Sequence, residues 1–186
     1  MSDEEGLARR AKALEWLLFD VDGVLTDGQL IYTRRGEQVK LFNVRDGLGF
    51  RLAQQAGLKL GILSGRRSKP LEKRATELDF DAVCYGSHDK NADFDRFLSE
   101  QKTTAEQVAF IGDDLPDLPV LARCGWSFAP ADAVPEVLAR VQTVLRSRGG
   151  EGAARELIER VLAARGEWER VVERFGIGMP PVDTRG

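Results

Sequence analysis

The stretch Trp16-Leu17-Leu18-Phe19-Asp20-Val21-Asp22-Gly23 decides the fold. Its apolar run fits a strand buried on both faces, and the abrupt change to Asp-Val-Asp-Gly marks that strand's carboxyl end. Outward from it, Leu58 to Leu63, Ala82 to Tyr85, Val108 to Ile111 and Trp126 to Ala129 read as further buried strands. Helical patterns fall between them, over Gly47 to Gln55, Lys69 to Leu78, Asn91 to Glu100 and Leu118 to Arg123. This alternation predicts an α/β fold, a three-layer αβα Rossmann-like sandwich with a parallel central sheet. Gly57 is placed to stop the first of these helices, and Thr104 with Gln107 suits a capping box ahead of Val108. Two segments break the pattern. Gln29 to Thr33 and Gln38 to Val44 read as a β-hairpin insertion (29–44) around the turn Arg34-Arg35-Gly36-Glu37. Gly152 to Phe175 reads as a helical stretch, with Glu156 and Arg160 one turn apart, and 176–186 as a mobile tail.

At 186 residues and 42% hydrophobic, the chain suits one domain, 1–186, with a sizeable core. Its 27 basic and 30 acidic residues leave a net charge of −3, which argues against nucleic-acid binding. No apolar run approaches the roughly 18–20 residues of a membrane span. The polar start, Met1 to Lys12, is unlike a secretory leader, so the expected location is cytoplasmic. Cys84 and Cys124, 40 positions apart in apolar segments, are expected as buried free thiols. His88 sits in a polar loop beside Asp89 and reads as a solvated residue, not as a general base.

In open α/β sheets, ligands lie beyond the carboxyl ends of the strands. Asp20 and Asp22 fall at one such end, Ser64 and Gly65 at a second, Asp113 and Asp114 at a third, with Lys90 a few residues past another. The set suits phosphoryl transfer. Carboxylates can hold Mg²⁺, a hard cation that prefers oxygen ligands. One of them can serve as nucleophile once the metal and Lys90 screen its repulsion from a phosphate dianion. A second carboxylate can protonate the leaving oxygen and then activate water, while Ser64 bonds the transferring oxygens.

Asp20-Val-Asp-Gly-Val-Leu-Thr26, Leu63-Ser-Gly65, Lys90 and Gly112-Asp-Asp-Leu-Pro-Asp117 resemble the ordered motifs of the haloacid dehalogenase superfamily. The resemblance implies that Asp20 is the nucleophile and that Asp22 is the general acid/base, lending its backbone carbonyl to the metal. It further implies that Ser64 and Lys90 hold the phosphoryl group, that Asp20 and Asp113 ligate Mg²⁺ directly, and that Asp114 and Asp117 are outer-shell or structural. The gaps between motifs leave no room for a substrate-reading cap. The hairpin, Phe42-Asn-Val-Arg-Asp-Gly-Leu-Gly49, Ser64-Gly-Arg66, Arg74 and Gly149-Gly-Glu-Gly-Ala-Ala-Arg-Glu156 are similar to the capless sugar-acid phosphatases of the 3-deoxy-D-manno-octulosonate 8-phosphate (KDO 8-phosphate) type.

By that resemblance, Asn43, Arg45, Asp46, Gly47, Arg51, Gly65, Arg66, Arg74 and Lys90 contact a small phosphorylated sugar acid. Neighbouring hairpins and tails would close each site within a homotetramer. The implied role is the release of KDO and phosphate on the route to lipopolysaccharide. A rival is a phosphatase for nonulosonate 9-phosphates of the sialic-acid kind, where an acidic residue can stand in place of Arg66. Two departures are Glu151, where many members carry Arg, and a tail running on through Met179-Pro-Pro181. A reading from another class is a phospho-receiver signalling domain, disfavoured because its acidic residues fall on the strands in a different order.

Overall fold

The computed structural model describes residues 3–34, 36–86 and 88–175. In chain order the first elements are α1 (Asp3–Ala13), β1 (Trp16–Phe19), β2 (Ile31–Thr33), β3 (Gly36–Val39), α2 (Val44–Gln55), β4 (Lys59–Ser64), α3 (Lys69–Glu77) and β5 (Ala82–Tyr85). There follow α4 (Lys90–Gln101), β6 (Val108–Ile111), α5 (Leu118–Leu121), β7 (Trp126–Ala129), α6 (Pro135–Leu138), β8 (Thr143–Val144), α7 (Ala153–Arg165) and α8 (Trp168–Glu173).

Strand β1 is buried at every residue because it has a strand on each side and helices on each face. The sheet runs β5-β4-β1-β6-β7-β8, parallel throughout. Its side chains alternate between two cores. Leu17, Phe19, Ala109 and Ile111 pack with α1, α2, α3, α7 and α8, while Trp16, Leu18, Val108 and Phe110 pack with α4, α5 and α6. Each fully buried Leu or Phe contributes about 1.5–3 kcal/mol, so these alternating rows fix the register of β1 and β6. From β1 the chain goes outward to β4 and β5, then returns to β6 on the other side. The β1–β6 junction is therefore where the strand order reverses, and the loops leaving it part to form a crevice.

The α/β architecture and the expected strands are found, with ends displaced by a residue or two. The hairpin differs more. Thr33 pairs with Gly36, so the second strand starts earlier than Gln38, and it stops at Val39 instead of Val44. Beyond Val39 the chain turns back toward the sheet, and Lys40 is buried there. The Asn43 side chain then accepts the Arg45 N–H at 2.9 Å and starts α2 three residues ahead of Gly47. The expected turn includes Arg35, which lies outside the described residues, as does the tail 176–186.

Three further differences have local causes. The stretch 152–175 is two helices, broken where Gly166 takes φ +73°. Cys84 is only half-buried because β5 is an edge strand; Cys124 is buried, and both are free. Helix α1, unforeseen in a charged segment, is held by Ala11 and by the following Leu14, both buried in the core that α7 shares.

Candidate active site

The loop after β1 is wound around one carbonyl. Val21 O accepts the N–H groups of Val24, Leu25 and Thr26 at 3.2, 2.9 and 3.1 Å, and the Thr26 hydroxyl at 3.3 Å. Asp20 N donates to Ile111 O at 3.0 Å, which ties this loop to β6. Gly23 takes φ +88°, and a Cβ there would lie 2.0 Å from Asp113 Oδ2, so glycine is what lets the two loops touch. From the other side Gly149 presses so closely that its Cβ would lie 2.0 Å from Gly23 O, and Gly150 N donates to Val24 O at 3.0 Å.

Three carboxylates and an ammonium meet in this crevice. Lys90 opens α4, where Asp89 caps the helix by accepting from Asn91 N and Ala92 N. A cation at a helix N-terminus opposes the helix dipole, and here two acids offset it. Lys90 Nζ lies 2.8 Å from Asp20 Oδ1 and 2.5 Å from Asp117 Oδ1. The second oxygen of Asp117 accepts from the backbone of Asp113 at 3.0 Å and of Asp114 at 3.2 Å. Both oxygens of Asp117 are thus engaged within the protein.

Asp20, Asp113 and Asp117 each bring an oxygen within 4.8 Å of the others. Asp113 Oδ1 is buried and has no hydrogen-bond partner among the described residues. Burial first, then the charges of Asp20 and Asp117, push the Asp113 carboxyl up to about 8. Burial likewise raises Asp20 to about 6 against the pull of Lys90. Lys90 stays above its usual range because those two acids outweigh its own burial. An orphaned buried oxygen beside a second carboxylate is a donor set that fits a hard divalent cation. Asp20 and Asp113 are the groups available to hold it.

The Asp22 carboxylate is paired with two other cations. Lys40 donates to its Oδ1, and Arg66 Nε stands 3.5 Å from Oδ2. Arg66 also donates to the Tyr32 hydroxyl at 2.8 Å, so the hairpin and the loop after β4 meet at Asp22. Ser64, at the end of β4, is buried, with its Oγ accepting Arg66 N at 3.3 Å; Gly65 beside it is exposed.

The other expected contact residues divide. Asn43 donates to Gly150 O at 3.2 Å and so braces the glycine pair under the β1 loop, while Arg45 is exposed on the first turn of α2. Arg74 lies over the Phe42 ring, its guanidinium occupying the space that a Cβ on Gly47 would need, at 2.6 Å. Two residues are placed elsewhere. Arg51 binds Asp79 at 2.6 Å and Glu77 O at 2.7 Å, at the C-terminal end of α3. Asp46 is buried and accepts Arg155 N at 2.8 Å, capping α7 instead of facing solvent. Its second oxygen has no partner among the described residues; Asp46 and Arg74 are among the residues around a small apolar cavity of about 10 Å³. Lys40 and Tyr32 were not foreseen; the only sequence signal for Lys40 is a lone cation between Val39 and Leu41.

A profile for haloacid dehalogenase-like hydrolases matches residues 83–157. The KDO 8-phosphate phosphatase KdsC of Haemophilus influenzae is 42% identical over 161 residues, 87% of this chain and 89% of that protein. The crystal structure of KDO 8-phosphate phosphatase from Yersinia pestis superposes with a TM-score of 0.85 at 40% identity, covering 91% of this chain and 90% of that one. The enzyme of the same name from Moraxella catarrhalis, solved with a magnesium ion, phosphate and KDO, gives 0.88 at 32% identity, covering 92% and 98%.

Proposed function

Because the chain belongs to the KDO 8-phosphate phosphatase family of haloacid dehalogenase-like hydrolases, we propose that it hydrolyses KDO 8-phosphate to KDO and phosphate with Mg²⁺ as cofactor. The observation that carries this reading is the buried Asp20 carboxylate, paired with Lys90 at 2.8 Å and set against Asp113 at the sheet's reversal point.

In this reading Asp20 attacks phosphorus and becomes an aspartyl-phosphate as the bond to the sugar oxygen breaks. Asp22 gives that oxygen a proton and then takes one from the water that cleaves the phosphoenzyme. Ser64 and Lys90 hold the phosphoryl oxygens. Mg²⁺, held by Asp20, Asp113 and the Asp22 backbone carbonyl, supplies the charge that lets carboxylate and phosphate approach. Arg66 suits the sugar-acid carboxylate, since it stands at the mouth of the site and is partly exposed. Residues 1–186 act as one hydrolase domain.

The assembly we infer is a homotetramer. Leu30, Ile31, Tyr32, Val39 and Leu41 of the hairpin are between 38% and 65% exposed, and Val44 beside them is 82% exposed. A lone hairpin with that much apolar surface is marginal in water, which supports packing against other copies. The cytoplasm suits such an enzyme, and no helix among the described residues is long and apolar enough to cross a membrane.

The test is phosphate release from KDO 8-phosphate, a nonulosonate 9-phosphate and p-nitrophenyl phosphate, with and without EDTA. The expected order puts KDO 8-phosphate first in kcat/KM, with activity lost on chelation and restored by Mg²⁺. Preference for the nonulosonate ester, or no release from KDO 8-phosphate, overturns the substrate assignment.

A further inference from the structure

The reaction as written makes no use of Lys40. Its side chain is 1% exposed, and its ammonium donates to Asp22 Oδ1. A buried ammonium is tolerated only where partners replace its lost water. Lys40 arrives there because β3 ends at Val39 and the chain folds back, so the hairpin carries a cation to the acid/base residue. One bland role is that of an anchor, holding the hairpin to the sheet. The geometry supports more.

Asp22 is 20% exposed at its side chain, with two torsions of its own to lose. Among the described residues, the other cation beside it is Arg66, which is 43% exposed and 3.5 Å away. An ion pair that open is screened by water and holds a rotamer weakly. The close, dry partner is Lys40.

We propose that Lys40 is a positioning residue that fixes the Asp22 carboxyl so that Oδ2, the oxygen on the Arg66 side, carries the proton to the leaving group. This rests on the phosphatase reading above. As Asp20 bonds to phosphorus, the bond from phosphorus to the ester oxygen breaks, and the Asp22 proton passes to that oxygen. A sugar alkoxide cannot leave without the proton, whereas p-nitrophenolate can. General acid catalysis is worth about 10²–10⁴-fold, so a misdirected acid should cost a large part of that on alkyl esters and little on aryl esters. The attraction of Lys40 for the phosphate dianion is the same for both esters and cancels in their ratio.

The experiment compares kcat/KM for KDO 8-phosphate and p-nitrophenyl phosphate in wild type, Lys40→Met and Lys40→Arg. The expected result is an alkyl-over-aryl ratio at least tenfold lower in Lys40→Met, with most of the loss recovered in Lys40→Arg. Equal losses on both esters, or an unchanged ratio, overturn the proposal and leave Lys40 as an anchor. If Lys40→Met fails to fold by circular dichroism, Lys40→Gln, with a polar head of similar reach, carries the same comparison. If wild type rejects KDO 8-phosphate, the substrate reading fails alone, and the ratio is taken with the primary alkyl phosphate it cleaves best. If no ester is cleaved, both fail.

Discussion

Gly23→Ala separates the work of the metal site from the stability of the fold. At φ +88° an alanine costs about 1–2 kcal/mol of backbone strain, which in a protein of this size lowers Tm by about 2–8 °C. Its methyl would stand 2.0 Å from Asp113 Oδ2, about 1 Å inside the nearest approach a real Cβ makes. The loop is clamped through Val21 O and Gly149, so the Asp113 carboxylate is what gives way. A ligand displaced by about 1 Å costs on the order of a hundredfold in turnover. The variant should therefore melt a few degrees early yet lose about two orders of magnitude in kcat/KM, with a weaker Mg²⁺ requirement curve. Calorimetric Mg²⁺ titration beside phosphate release and thermal unfolding reads all three. A folded Gly23→Ala with wild-type Mg²⁺ affinity and turnover within threefold would refute the assignment of Asp113 as a ligand.

Asp20→Asn removes the attacking anion, so phosphate release should fall at least a thousandfold with circular dichroism unchanged; activity within tenfold of wild type sinks the mechanism. Asp46 offers a pH test. Burial, opposed by the Arg155 N–H and Arg74, raises it from 3.8 to about 6, so the folded state takes the proton more readily than the unfolded chain. Stability from this group is full below about pH 4 and is lost as pH rises through 6, a difference of about 3 kcal/mol. Asp46→Asn keeps an acceptor for Arg155 N and cannot ionise, so its urea midpoint should exceed that of wild type at pH 8 and match it near pH 4; the same pH slope in both proteins rejects the idea. Replacing Ile31 and Leu41 together by Lys should give smaller species in light scattering, with a folded core and poor sugar-acid turnover. A wild-type monomer with full activity at micromolar concentration would remove the reason for the tetramer.

What could be read from the chain was whatever its local pattern determines. Trp16 to Phe19 and Val108 to Ile111 are continuous apolar runs ended by acids, and those few residues place both the sheet and Asp20, Asp22 and Asp113. Contacts across the chain were not legible. Asp46, expected at the substrate by resemblance and placed ahead of the helix at Gly47, instead accepts from α7, whose Arg155 N–H lies 109 residues on. Arg51 is expected at the substrate by resemblance, and only the path of α3 shows that Asp79 takes it. Lys40 lies within the stretch expected as the second hairpin strand; its burial goes with that strand stopping at Val39, which the tertiary fold decides.

The approach of Gly149 to Gly23 has a consequence for how the enzyme is made. The meeting is main chain against main chain, so no side chain can repack to substitute for a late partner. Asp20 leaves the ribosome early, with its loop still unsupported. That loop gains its brace only when a segment more than a hundred residues further on has emerged and docked. During synthesis the sheet can form in order while the loop after β1 waits. A chain stopped short of that segment would hold every acidic motif and still lack the floor on which they sit.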